Sequence, residues 1–182
     1  KAGARPNVAN REGSTPLWLA SINGDAAMIE LLLSGGADAN EKLPLGRSPL
    51  MIAARTGNVE AMKVLINRGA DVNAKATKPV PRFGFTLFKS NLIVGSTPFL
   101  IASLSADAPT MQLLLDHGAD PMVRNGEGHT ALTLACGAGR VEGESRIPEA
   151  NTLAAVKLLL AKGLKPNDQN KYGMAAMHFA AM

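Results

Sequence analysis

The chain is predicted to be an all-α solenoid of stacked helix-turn-helix pairs, open at both ends, and three observations carry that prediction. A Gly-Ala-Asp-x-Asn-like exit recurs, with Gly3, Gly36 and Gly69 spaced 33 residues apart. Two short helical patterns precede each exit from Gly36 onward in place of one long one. Only 4% of the residues are aromatic while Ala, Leu and Gly dominate, which favours thin layers of small side chains over one thick core. With 182 residues, 46% of them hydrophobic, and a mean hydropathy of +0.05, the chain has the apolar surface to fold.

Gly46 to Asn73 shows the unit. Ser48 suits a helix N-cap because its hydroxyl accepts a backbone N–H, and Pro49 suits the first helical position because its φ is fixed and it has no N–H. Leu50 to Arg55 continue as a short apolar helix that Thr56-Gly57 break. From Val59 the apolar residues Val59, Met62, Leu65 and Ile66 fall on one helical face, and Gly69 permits the left-handed turn that ends the second helix. Such a pair cannot bury its apolar face alone, so copies must stack on both sides.

The copies are visible. First helices are predicted near 16–22, 49–55, 98–104, 131–137 and 176–181. Second helices carry the stripes Ile29-Leu32-Leu33, Met62-Leu65-Ile66, Met111-Leu114-Leu115 and Val156-Leu159-Leu160, which should form one continuous core. Ala20, Ala53-Ala54, Ala102, Ala135 and Ala180 fill matching places in the first helices, where small side chains let neighbours approach.

Helix starts at Thr15-Pro16-Leu17, Ser48-Pro49-Leu50, Thr97-Pro98-Phe99, Thr130-Ala131-Leu132 and Ala175-Ala176-Met177 alternate with exits at Gly3, Gly36, Gly69, Gly118 and Gly163. With its 33-residue period, this sequence resembles the ankyrin-repeat family over essentially its whole length. The resemblance implies an ankyrin-repeat solenoid with short β-hairpin fingers, first helices lining a concave face, and a binding role in place of a catalytic one. In the family a His at the fourth position of the helix start ties repeats together. Here that position reads Trp18, Met51, Leu100 and Thr133, with His only at His178, so the first four junctions are expected to rely on apolar packing.

The expected division is 1–8 as the end of a preceding repeat, repeats at 9–40, 41–73, 74–121 and 122–167, and the first half of a further repeat at 168–182. Two insertions break the period: 16 extra residues in the finger of 74–121 and 12 between the helices of 122–167. The resemblance puts them on opposite edges of the stack. An incomplete repeat at each end leads us to expect a segment of a longer protein, with further repeats or domains of the same chain on both sides.

The first insertion, Ala74 to Val94, holds Lys75, Lys78, Arg82 and Lys89 without an acidic residue, and Phe83, Phe85 and Phe88 among the chain's 5 phenylalanines. Residues 82–89 alternate as an extended hairpin arm would. Such an arm could grip an acidic protein or peptide or stack on single-stranded bases; equally, its aromatics could fold back on the fingers while its lysines stay solvated. Nucleic acid is the weaker alternative, because a net charge of +4 with interspersed signs makes no basic stripe. Trp18 and Met51 are candidate partner contacts on the concave rim, or else pack on each other between repeats.

Other features read as structural. The second insertion, Arg140 to Asn151, places Glu142, Glu144 and Glu149 beside Arg140 and Arg146 without a cation-binding spacing, as a solvated loop would. Repeat spacing keeps His117, His129 and His178 apart, so no metal site is expected, and His117 suits the negative end of its helix. Cys136 aligns with Ala54 as a small buried residue and, as the only cysteine, excludes an intrachain disulfide. No catalytic constellation, phosphate loop or cofactor motif is present, and no run approaches the roughly 18 apolar residues a membrane span needs. The N-terminal KAGARPNVAN lacks the apolar core of a signal peptide.

The reading is therefore a non-catalytic scaffold for protein–protein binding. The alternatives are the recognition or packing part of a larger enzyme or haem/redox protein, or a structural element of an assembly. The start at Gly95 and the break after Gly139 resemble those of secreted or periplasmic bacterial ankyrin arrays, some with a haem segment elsewhere; a cytoplasmic location is the alternative. No C-x-x-C-H occurs here, so haem is not assigned.

Overall fold

A computed structural model of the chain describes residues 5–11, 13–42, 46–78, 93–138 and 147–181. The first helices are α1 (Pro16–Asn23), α3 (Pro49–Thr56), α5 (Pro98–Leu104), α7 (Ala131–Ala135) and α9 (Ala176–Ala180). The second helices are α2 (Ala26–Ser34), α4 (Val59–Asn67), α6 (Ala108–Asp116) and α8 (Glu149–Ala161). Side-chain caps set most of the starts. Hydroxyls of Thr15, Ser48, Thr97 and Thr130 accept N–H bonds from Trp18, Met51, Leu100 and Thr133 at 3.1, 3.3, 3.4 and 3.2 Å. Asp25, Asn58 and Asp107 cap the second helices in the same way.

Packing separates the helices into two layers. α1, α3, α5, α7 and α9 pack side by side in sequence, and α2, α4, α6 and α8 do the same behind them. Leu17, Leu50, Phe99 and Leu132 from the first layer meet Ile29, Met62, Leu65, Met111, Leu114 and Leu159 from the second, each at most 2% exposed. At about 1.5–3 kcal/mol for each fully buried side chain, this continuous seam is the main stabilising term.

Some expectations need correction at the margins. Leu160 is 42% exposed and Ala180 is exposed, because no further helix among the described residues covers them. Cys136 is half-buried, at the C-cap of α7. The second insertion is not wholly a loop: Glu149 to Asn151 belong to α8, whose 13 residues exceed the 9 of α2, α4 and α6 by about one turn. Arg140, Glu142, Glu144 and Arg146 lie outside the described residues.

Among the described residues the fingers contain no β-strand. Short-range asparagine turns replace a ladder: Asn10, Asn125 and Asn170 each accept with Oδ1 from the N–H four residues on, at Ser14, His129 and Met174. The exit asparagines bind across repeats. Asn7 Nδ2 donates to Gly36 O at 3.0 Å, and Asn73 Nδ2 donates to Gly118 O at 2.9 Å while its Oδ1 accepts from Asp120 N–H at 2.9 Å. Asn40 makes the same pair of bonds to the next exit.

The junction between α7 and α9 is polar, against the expectation of apolar packing. Thr133 Oγ1 donates to Thr130 O at 2.8 Å, so the 3.3 Å contact to His129 is a bond from Nδ1–H to that oxygen. Nε2 is then the acceptor facing Asn170 Nδ2 at 3.4 Å, and the ring stands 5.5 Å from that of Phe179. His178 lies instead within its own turn, its Nδ1 accepting from Ala175 N–H at 3.0 Å.

Candidate binding surface

The first insertion leaves the stack and returns at one point. Ala76 N–H donates to Ser96 O at 3.0 Å and Gly95 N–H donates to Ala76 O at 2.8 Å, so both feet are tied together. Each foot is also tied to a neighbouring finger, through Thr77 N–H to Gly46 O at 3.1 Å and Gly126 N–H to Val94 O at 2.7 Å. The Ala76 methyl is buried with Met51 and Ile101. Lys75 and Lys78 flank it with exposed side chains. Arg82, Phe83, Phe85, Phe88 and Lys89 lie outside the described residues.

Met51 is corrected as a partner contact. It is 1% exposed beneath Ala76 and Ile101, because the foot of the insertion closes over it. Trp18 occupies the equivalent place in α1 and stays half-buried. Its indole Nε1 is buried without a hydrogen-bond partner among the described residues, and so is Nε of Arg47. A buried donor left unpaired costs about 1–3 kcal/mol, and a third buried side-chain atom, Thr152 Oγ1, is likewise without a partner among the described residues. Burial, together with the nearby Arg55 charge, holds the Arg47 guanidinium below its usual range.

Titratable groups elsewhere serve the junctions. The Thr15 hydroxyl donates to Glu41 Oε1, yet burial and then the Asp38 charge leave the Glu41 carboxyl above its usual range. Burial pushes His129 down, consistent with the neutral ring its hydrogen bonds require, while the Glu127 charge, the smaller effect, acts the other way. The Tyr172 hydroxyl donates to Glu127, which raises the phenol. Arg124 bridges to Asp168 at 2.8 Å and to Gln169 O at 3.0 Å.

Among the described residues no group of three or more His, Cys, Asp or Glu converges on a point that could hold a metal ion, and no helix is long and apolar enough to cross a membrane. Two hollows, of about 170 Å³ beside Ala106, Asn151 and Ala154 and about 130 Å³ beside Leu132, Cys136 and Met177, are smaller than a typical small-molecule site. What the fold offers is an extended surface.

A family model described as Ankyrin repeats (3 copies) matches residues 2–76 and 99–182. The chain belongs to the ankyrin-repeat family. The gap in the match, 77–98, falls on the first insertion, whose feet meet at Ala76 and Gly95. Among curated proteins, none matches the chain. Ankyrin repeats are in general protein-binding scaffolds and typically non-catalytic, and this array shares their all-helical repeat architecture.

Reasoning from the sequence missed Arg47, Arg55 and the buried Trp18 donor. The signal was present: the first helices contain no Asp or Glu, and Arg55 is the one Lys or Arg within them. The cross-repeat role of Asn40 and Asn73 was also legible, since both recur at the fifth place of the exit.

Proposed function

We propose that this ankyrin array is a non-catalytic scaffold binding a protein or peptide with an acidic surface, at the first-helix face and the edge that carries the first insertion. The observation that carries the reading is the pinned base of that insertion. A 16-residue excursion is unnecessary for stacking, and long loops in compact folds are commonly functional. This one starts and ends on a single buried, hydrogen-bonded alanine between exposed Lys75 and Lys78. Arg82, Lys89, Phe83, Phe85 and Phe88 enter on their chemistry alone: the cations steer the approach, and the aromatics slow release.

The test replaces residues 79–92 with two glycines, leaving the Ala76 to Gly95 tie in place. The shortened array is expected to keep its helical circular dichroism while its affinity for a partner, recovered by pull-down with the intact array, falls at least tenfold. Charge-neutral replacements at Lys75 and Lys78 are expected to slow association at low salt and to matter little at high salt. A folded, shortened array with unchanged affinity would assign the insertion to packing and move the site to the first-helix face.

A further inference from the structure

The charge of the first-helix layer is one-sided. No Asp or Glu occurs in α1, α3, α5, α7 or α9, while Arg55 is exposed in the last turn of α3 and Arg47 immediately precedes its N-cap. Met51, which is buried, and Arg55 are four apart on one side of α3, and Arg47 stands two residues before the first residue of that helix. Arg68 and Arg124 each hold a carboxylate, Glu30 and Asp168, whereas Arg47 and Arg55 make no ion pair among the described residues and lie close enough to repel.

Two neighbours complete the patch. α1 packs beside α3 in register, so Trp18 stands in the row of Met51, and Ile22, 39% exposed, in the row of Arg55. The Thr77 to Gly46 bond brings Lys78 alongside the segment that carries Arg47. The face thus has an apolar half on α1 and a cationic half on α3; Trp18 Nε1 and Arg47 Nε, both shut off from solvent, have no acceptor among the described residues.

We infer that this face of α1 and α3 is a subsite for an acidic, apolar peptide segment, whose Asp or Glu carboxylate is received by Arg47 and Arg55 while an adjacent aliphatic side chain lies against Trp18 and Ile22. A carboxylate has two oxygens able to accept several bonds in the plane a guanidinium presents, so one group can be shared by Arg47 and Arg55 and screens their repulsion. A phosphate backbone is the poorer match, since it is held by a longer track of cations and here the cations are bordered by apolar side chains. The subsite rests on the scaffold reading above and names its ligand chemistry.

Trp18 is the chain's 1 tryptophan, so its fluorescence reports this site directly. The probe is a ten-residue peptide of alternating Glu and Leu, titrated at low salt into the intact 182-residue protein, with a Gln/Leu peptide and a ten-residue oligothymidylate as controls. The expected result is a saturable change in Trp18 fluorescence with the Glu/Leu peptide, at least tenfold weaker with the Gln/Leu peptide and in Arg47→Gln and Arg55→Gln. Arg55 is exposed, so its replacement leaves the fold intact even if that of Arg47 does not. No saturable change, equal response to the Gln/Leu peptide or the oligothymidylate, or unaltered binding by Arg55→Gln would overturn the subsite. A pull-down partner that binds Arg55→Gln normally but not the array shortened at 79–92 would overturn the subsite alone and leave the scaffold reading standing.

Discussion

Asn40 grips Gly69 from the preceding repeat with both ends of its amide engaged: Nδ2 donates to Gly69 O at 2.9 Å and Oδ1 accepts from Asp71 N–H at 2.8 Å. At the fourth exit the same place is held by Met122, which can make neither bond and whose Cε instead lies 3.6 Å from where a Cβ on Gly163 would be. Asn40→Ala is expected to lower stability by about 1–3 kcal/mol in urea unfolding, and Met122→Asn to raise it by about 0.5–1.5 kcal/mol. An unchanged midpoint in both variants would show that the clamp only follows the packing.

Leu65 is completely buried where α4 meets the first layer. Leu65→Ala removes its transfer energy and leaves a cavity, so a loss of about 2–5 kcal/mol is expected. An equilibrium unfolding curve that does not move would mean that the seam is not the core.

Gly57 combines a φ of +68° with a close approach: a Cβ there would lie 2.7 Å from Asp107 Oδ2, the carboxylate that caps α6. Gly57→Ala therefore strains the backbone and displaces a cap of the next repeat, for a combined loss of about 1–3 kcal/mol. Ala106 sits in the equivalent turn at φ +48°, and the second helix of the next repeat, α8, has Pro148 as its N-cap and so no side-chain cap to displace. The check is the melting temperature of Gly57→Ala against that of Gly57→Ala/Asp107→Ala, since relief of the clash makes the double variant lose less than the sum of the singles.

His129 gives the last junction an acid limit. Its folded pKa is lowered by burial, so protons bind the unfolded chain first. Its contribution to stability is complete above the unfolded value of about 6.5 and is lost as pH falls from there through the folded value. His129→Gln is expected to flatten the slope of stability against pH on that limb while lowering stability at neutral pH. A slope unchanged in the variant would place the acid sensitivity elsewhere.

Local residue chemistry was enough to determine the repeat. Hydroxyl caps at Thr15, Ser48, Thr97 and Thr130, prolines just inside three of those helices, glycine exits and aliphatic spacing act within a few residues, so the helices and their pairing could be read from the order of side chains alone. Tertiary structure decided what depends on the neighbouring repeat. Met51 and Trp18 occupy equivalent places in the sequence, yet the foot of the insertion at Ala76 covers one, while the other keeps a half-buried ring whose donor has no partner among the described residues. Likewise His129, beside a cap and outside the expected histidine position, became a junction residue only because Asn170, 41 positions later, is brought against its Nε2. Such contacts depend on the register of one layer upon the next, which is a property of the assembled stack and not of any stretch of chain within it.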